Sequence, residues 1–285
     1  MTARLTSYAH DGLTFDVVDE GPLDGPVVVL LHGFPERATS WRGVTERLHR
    51  HGLRTLAVDQ RGYSRGARPR RRRDYRLPLL VGDVVALLER VGAPVHLVGH
   101  DWGAAVGWLL AARRPDLLLS WTAVSVPHPR AFVHAALTSS QGRRSWYFGF
   151  FSLPRLPERA ARPGGALERG LRRSGMTDAD IERFRTEVVA DGALPGALAW
   201  YRALWLATGP AGRARVRVPT TLVWSDGDVA VARRGAELSA AYVDAPFRLA
   251  VLEGVSHWIP THAPEPLAEA ILDHAGRRTG QEEQA

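Results

Sequence analysis

The 285-residue sequence contains no cysteine, no lysine and no asparagine. The lack of cysteine excludes disulfides, a thiolate nucleophile and cysteine-ligated metal sites. The lack of lysine makes every strongly basic side chain an arginine, and the formal net charge is +7. No apolar run approaches the roughly 20 residues that a membrane-spanning helix needs. Met1 to His10 has no apolar stretch of the secretory-signal kind, so a cytoplasmic location is expected. The densest basic run is Arg68-Pro69-Arg70-Arg71-Arg72-Arg73. It is short and lacks the aromatic platform or recognition helix of a nucleic-acid binder. It reads as a solvated loop, and neither a nucleic-acid nor a membrane partner is expected.

What is present is an alternation of short apolar runs with helical patterns, which signals a parallel sheet wrapped by helices. Val27–Leu31 (VVVLL) is apolar throughout, as a strand covered on both faces should be. Leu53–Val58, Val95–Val98, Leu118–Val124, Thr220–Trp224 and Phe247–Leu252 read as further strands, and Leu13–Val18 as an antiparallel strand at the sheet edge. Helices are expected over Ser40–His51, Leu79–Val91, Trp102–Arg114, Ala232–Ala241 and Pro264 to about Ala275. From His128 to about Gly212 the strand rhythm stops. That stretch is rich in Arg, Pro, Gly and aromatics, with helical patches at Asp178–Ala190 and Leu194–Leu206 and an N-cap at Thr177-Asp178. The expected organisation is one α/β core, residues 1–127 and 213–285, interrupted by a helical cap, residues 128–212. Gly280 to Ala285 reads as a frayed tail.

Strand Val95–Val98 runs into Gly99-His100-Asp101-Trp102-Gly103 and a small-residue helix. Strand, sharp turn and helix make a nucleophile elbow. Small residues at 99, 103 and 104 let strand and helix approach, and the central residue is Asp101 instead of the usual serine. The residue type carries chemical information. A carboxylate attacking an ester would give a labile anhydride, whereas one attacking saturated carbon gives an alkyl ester that water can cleave. Epoxides and carbon–halogen bonds are therefore favoured over esters and peptides. By itself Asp101 would serve equally as the N-cap of the following helix. Further parts in the right order favour the elbow. His257, on the loop after strand Phe247–Leu252, is the expected base. Asp226 and Asp228, after strand Thr220–Trp224, are the candidates for the acid that orients it. Asp228 is preferred for its reach, with Asp226 capping the turn at Gly227. His32-Gly33-Phe34-Pro35 follows the first parallel strand, so the Phe34 and Trp102 N–H groups are the expected oxyanion donors.

With these parts in place the chain resembles the epoxide hydrolases of the α/β-hydrolase superfamily. The likeness rests on His32-Gly33-Phe34-Pro35-Glu36, Ser40-Trp41-Arg42, Asp59-Gln60-Arg61-Gly62-Tyr63, Gly99-His100-Asp101-Trp102-Gly103, Pro127-His128-Pro129 and Gly254-Val255-Ser256-His257-Trp258. It implies an α/β-hydrolase fold, a mostly parallel twisted sheet flanked by helices with an inserted helical cap. It implies Tyr147 and Tyr201 as cap tyrosines that hold the epoxide oxygen, and a pocket bordered by His32, Pro35, Trp146, Trp200 and Trp258. No metal or organic cofactor is implied; the partners are a small apolar epoxide and water, and the protein would be a monomer or homodimer. Departures from the pattern occur at Arg37-Ala38-Thr39, Ser64, Ser152, Ala199 and Ser225. They bear on pocket shape and remove no catalytic group.

Two other classes stay open. A haloalkane or haloacid dehalogenase would share the Asp nucleophile and use indole donors such as Trp102 with Trp146 or Trp200. Phe34, where haloalkane dehalogenases typically carry Asn, argues against the first, and Trp102 and Ala105, where fluoroacetate dehalogenases typically carry Arg, against the second. A catalytically silent binding protein would keep the fold without turnover.

Overall fold

A computed structural model describes residues 3–206 and 215–282. The apolar runs form β1 (Ser7–His10), β2 (Leu13–Glu20), β3 (Val27–Leu31), β4 (Arg54–Val58), β5 (Val95–His100), β6 (Leu118–Val124), β7 (Thr220–Ser225) and β8 (Phe247–Leu252). They assemble into one eight-stranded sheet in the order β1-β2-β4-β3-β5-β6-β7-β8. β1 pairs antiparallel with β2, and β2 antiparallel with β4; every later pairing is parallel. The edge hairpin expected around Leu13–Val18 is thus completed by a strand, β1, whose short mixed pattern gave no signal.

The alternation of side chains along a strand explains why β3 is apolar throughout. Val28 and Leu30 face one layer, with α1 (Arg42–Arg50) and α13 (Pro264–Glu282). Val29 and Leu31 face the other, with α2 (Leu77–Val91) and α3 (Trp102–Arg113). β3 sits between β4 and β5, so the chain crosses the sheet first one way and then the other. The carboxyl ends of β3 and β5 are therefore neighbours at a topological switch point, where α/β sheets open a crevice.

Between β6 and β7 the described residues contain no strand. They hold α4 (Pro129–Thr138), α5 (Gln141–Arg144), α6 (Tyr147–Ser152), α7 (Leu156–Ala160), α8 (Ala166–Arg173), α9 (Asp178–Arg183) and α10 (Leu194–Leu204). The expected boundary at 212/213 lies outside the described residues. Thr177 starts α9 through a reciprocal cap with Asp180. The helix expected to run on to Ala190 widens instead into a π-helical segment, Phe184–Ala190. There the Glu187 carbonyl accepts a hydrogen bond from Arg37, at 3.1 Å. After β7 come α11 (Arg233–Leu238) and α12 (Ile259–His262). The backbone of Gly280–Glu282, expected to fray, continues α13, and the last three residues lie outside the description.

One carboxylate ties the inserted helices to the sheet layer. Asp191, between the π-helical segment and α10, accepts from Arg37 at 3.1 Å, from Arg65 at 2.7 Å and from Arg68. These arginines belong to the loops after β3 and β4, and Arg37 also holds Asp59. Arg68 is thus consumed by this junction, while Arg70 to Arg73 are exposed. Asp191 has only 8% side-chain exposure, so its removal would leave clustered guanidinium charge without a partner. Asp191→Ala should lower stability by about 3 kcal/mol, roughly 6–10 °C in Tm for a chain of this size. Asp178→Ala, which breaks the exposed pair with Arg172, should change Tm by little more than error. Calorimetry on the two variants checks the contrast.

Candidate active site

The elbow is built by steric exclusion. Asp101 has φ +50° and ψ −113°, a strained conformation for a residue with a side chain. A Cβ on Gly99 would lie 2.5 Å from the Gly103 carbonyl oxygen, and one on Gly103 2.2 Å from that of Leu31. A Cβ on Gly33 would lie 2.3 Å from the Asp101 Cβ. Glycine at these positions allows β3, β5 and α3 to converge and lifts the Asp101 carboxylate out of the turn.

The carboxylate meets two groups from distant parts of the chain. The Phe34 N–H donates to Asp101 Oδ1 at 2.8 Å. His257 Nε2 lies 3.8 Å from Asp101 Oδ2. On its other side His257 Nδ1 bonds Asp228 Oδ2 at 2.7 Å. Asp228 Oδ1 accepts from the Ala230 and Val231 N–H groups, at 2.7 and 2.9 Å, so this buried carboxylate is fully satisfied. Asp226 instead accepts from the Gly254 N–H at 2.7 Å. It braces the turn before His257, not the turn at Gly227 as expected. No Asp101 contact of the Trp102 N–H stands beside that of Phe34, and Trp102 opens α3, where backbone donors lack helical partners.

Charge is tightly coupled here. Burial favours neutral His257, but the Asp228 charge, with the pull of Asp101, outweighs it and raises the imidazole to about 10. Burial likewise works to raise Asp101, yet His257, His100 and the Phe34 N–H hold it below the ordinary carboxylate range. Both shifts favour the charged pair of imidazolium and carboxylate over its neutral form.

Above Asp101 stands a cluster of rings. Tyr201 is buried and touches Phe34 edge-on, at 5.3 Å between centroids, Trp102 at 5.1 Å and Phe151 at 4.9 Å. Tyr147 lies 6.3 Å from it, centroid to centroid. Burial, followed by the nearby Asp101 charge, pushes both phenols well above their usual value.

The remaining expected pocket residues divide. Trp200 is buried against Trp102, but its indole N–H is committed to the Arg61 carbonyl at 2.8 Å. Trp258 packs edge-on to His257 and donates to Ser174. Pro35 is buried and borders a small cleft with Glu36, Asp180 and Arg183 that no tyrosine lines. Two corrections follow. His32 does not face a pocket: it is fully buried, Nδ1 reaches the Gly33 carbonyl at 3.0 Å, and Nε2 accepts from the Gln60 N–H at 3.2 Å. It shapes the loop that carries Phe34. Trp146 is 70% exposed, because one helical step of about 100° separates it from Tyr147.

Several contacts had no sequence signal. Gln141 holds the loop after Asp228 through the Ala230 carbonyl and the Ala232 N–H, at 2.9 and 2.7 Å. Arg144 donates to the Asp228 carbonyl at 2.6 Å. His100 Nε2 and Ser125 Oγ both reach the His257 carbonyl, at 3.0 and 3.1 Å, and His100 Nδ1 lies 3.4 Å from the buried Glu36 carboxylate. The departures also found uses. Ser64 bonds Asp16 N–H and the Asp59 carbonyl, and Ser225 bonds the Val255 carbonyl.

A family model described as the alpha/beta hydrolase fold matches residues 26–261. The chain belongs to the α/β-hydrolase fold family. This α/β-hydrolase is 32% identical over 272 residues to the AB hydrolase superfamily protein YfhM of Bacillus subtilis, covering 93% of this chain and 95% of that one. It is 33% identical over 267 residues to epoxide hydrolase 4 of Mus musculus, covering 89% and 74%. A crystal structure of an epoxide hydrolase from Vigna radiata superimposes with a TM-score of 0.79 at 28% identity, covering 95% of this chain and 97% of that chain.

The raised His257 has a thermodynamic consequence. A histidine bound more tightly to its proton when folded stabilises the fold fully below its unfolded value near 6.5. That contribution is lost as pH rises towards about 10. The Tm difference between the native hydrolase and His257→Gln should therefore shrink from pH 6 to pH 9.5. An unchanged difference would show that the imidazole carries no extra charge at rest.

Proposed function

We propose that this α/β-hydrolase is an epoxide hydrolase that works through an Asp101 alkyl ester. The observation that carries this reading is the carboxylate itself, held by the Phe34 N–H on one oxygen and faced by His257 near the other, beneath buried Tyr201 and half-buried Tyr147. Its names among relatives and solved neighbours agree in substrate class.

In the first step Asp101 Oδ2 forms a bond to an epoxide carbon as that carbon–oxygen bond breaks. The departing electron pair goes to the epoxide oxygen, which Tyr147 and Tyr201 hold and protonate. Alkylation removes the negative charge of Asp101 and with it part of what held the proton on His257. The imidazolium gives that proton to the tyrosinate through solvent, and the neutral imidazole then becomes a base, which resolves the mismatch between an imidazolium at rest and a general base in turnover. It takes a proton from water as the water oxygen attacks Cγ of Asp101. The Phe34 N–H, joined by that of Trp102, stabilises the oxygen of the tetrahedral intermediate. Collapse breaks the bond from Cγ to the alkyl oxygen, which takes the proton from His257, and the diol leaves. The second water proton passes from the Asp101 carboxyl to His257 and restores the resting imidazolium and carboxylate. In this reading residues 128–212 act as the cap that closes the substrate chamber.

The dehalogenase alternative is weaker because a departing halide needs paired donors. The Trp200 indole is occupied by Arg61, and Trp146 is on the surface.

With a terminal epoxide, His257→Gln should accumulate one substrate mass on the protein within a single turnover, and Asp101→Ala should gain none. Tyr147→Phe and Tyr201→Phe should each slow ester formation, together by roughly 10²-fold or more. Intact-mass spectrometry reads all four. An adduct on Asp101→Ala, or none on His257→Gln, contradicts the assignment. In the native enzyme ester hydrolysis should speed up with pH and level off below about 10, while ester formation stays flat from pH 6 to 9.

A further inference from the structure

The segment Trp146-Tyr147-Phe148-Gly149-Phe150-Phe151-Ser152-Leu153-Pro154 contains no charged residue. Its inner side, with Phe151 and Tyr147, joins the ring cluster over Asp101. Its outer side is also apolar. Trp146, Phe150 and Leu153 recur at helical spacing, with the Trp146 and Phe150 rings 6.3 Å apart. Trp146 is 70% exposed and Leu153 45%. Trp205, 73% exposed, extends the same surface, since its indole donates to Ser152 at 2.8 Å. A helix that is apolar all round belongs in a core or in a lipid.

Charge decides what covers this face. Arg143 and Arg155 bracket the segment, and both are exposed. From Pro129 to Arg162 there are six arginines and one acid, Glu158. Glu158 is already paired with Arg202 at 2.9 Å. A second copy of the chain would have to present this same surface across a two-fold axis, and the segment from Pro129 to Arg162 offers its arginines no unpaired acid. A bilayer rich in anionic headgroups suits both parts. Tryptophan, phenylalanine and leucine enter the boundary between headgroups and acyl chains, and arginines meet the phosphates. The absence of a spanning run, the ground for expecting no membrane partner, does not bear on a helix that lies on the surface.

We propose that the outer face of α6, with Trp205, is a docking surface for an anionic lipid bilayer. The docking stands on exposure and charge alone. If the reading of the site as an epoxide hydrolase also holds, the contact places the ring cluster beside the phase in which apolar epoxides dissolve.

The test is co-flotation of the full chain with phosphatidylcholine vesicles, with and without phosphatidylglycerol, at low and high salt. The native chain should float with the phosphatidylglycerol vesicles and be released by salt. Arg143→Gln and Arg155→Gln should each weaken binding by roughly fivefold. Trp146→Gln combined with Trp205→Gln should abolish it while Tm stays within a few degrees. Equal recovery with and without phosphatidylglycerol overturns the proposal. So does a native dimer, by sedimentation equilibrium, that the tryptophan pair variant converts to monomer. Neither result bears on ester formation at Asp101, so the two readings fail separately.

Discussion

Everything at the site depends on one imidazole suspended between two carboxylates. Asp228 binds His257 at 2.7 Å, while Asp101 stands 3.8 Å away on the far nitrogen. The difference is chemically apt. The closer carboxylate, satisfied by two further N–H groups, has no freedom to react. The farther one keeps an oxygen free. Both carboxylates pull on the proton of the one imidazole. In the proposed mechanism, loss of one of those charges by alkylation changes what the other two groups can do.

The fold delivers that geometry through strand order. Placing β3 beside β5 puts the Phe34 N–H over the elbow, and β7 beside β8 puts Asp228 against His257. Phe34, Asp101, Asp228 and His257 each follow the carboxyl end of a parallel strand, on a loop whose path is fixed by close backbone approach. Gly227 shows the same constraint as the elbow glycines, since a Cβ there would lie 2.4 Å from the Val255 carbonyl oxygen. The inserted helices do more than cover the site. Gln141 and Arg144 grip the Asp228 loop, so the position of Asp228 depends on both layers.

The parts that were legible in the sequence are those whose physics is local. Apolar runs marked most strands, and the spacing of small residues around Asp101 marked the elbow. The order of Asp101, Asp228 and His257 along the chain matched the strands that carry them. What was illegible is set by distant partners. Asp191 looks like any loop aspartate until three arginines from other loops meet it. His32 and Trp146 were misread for opposite reasons. The first has both nitrogens consumed by neighbouring backbone, and the second is turned outward by helix phase. Trp200 sits in the right place, but its indole N–H is spent on a carbonyl that spacing cannot reveal.

The most direct test of the central claim follows oxygen. In a single turnover with excess enzyme in heavy-oxygen water, the first diol should carry unlabelled oxygen drawn from the protein, and label should appear in the Asp101 carboxylate. Label in the first diol, with none in the peptide bearing Asp101, would show that water attacks the epoxide directly and that no ester forms.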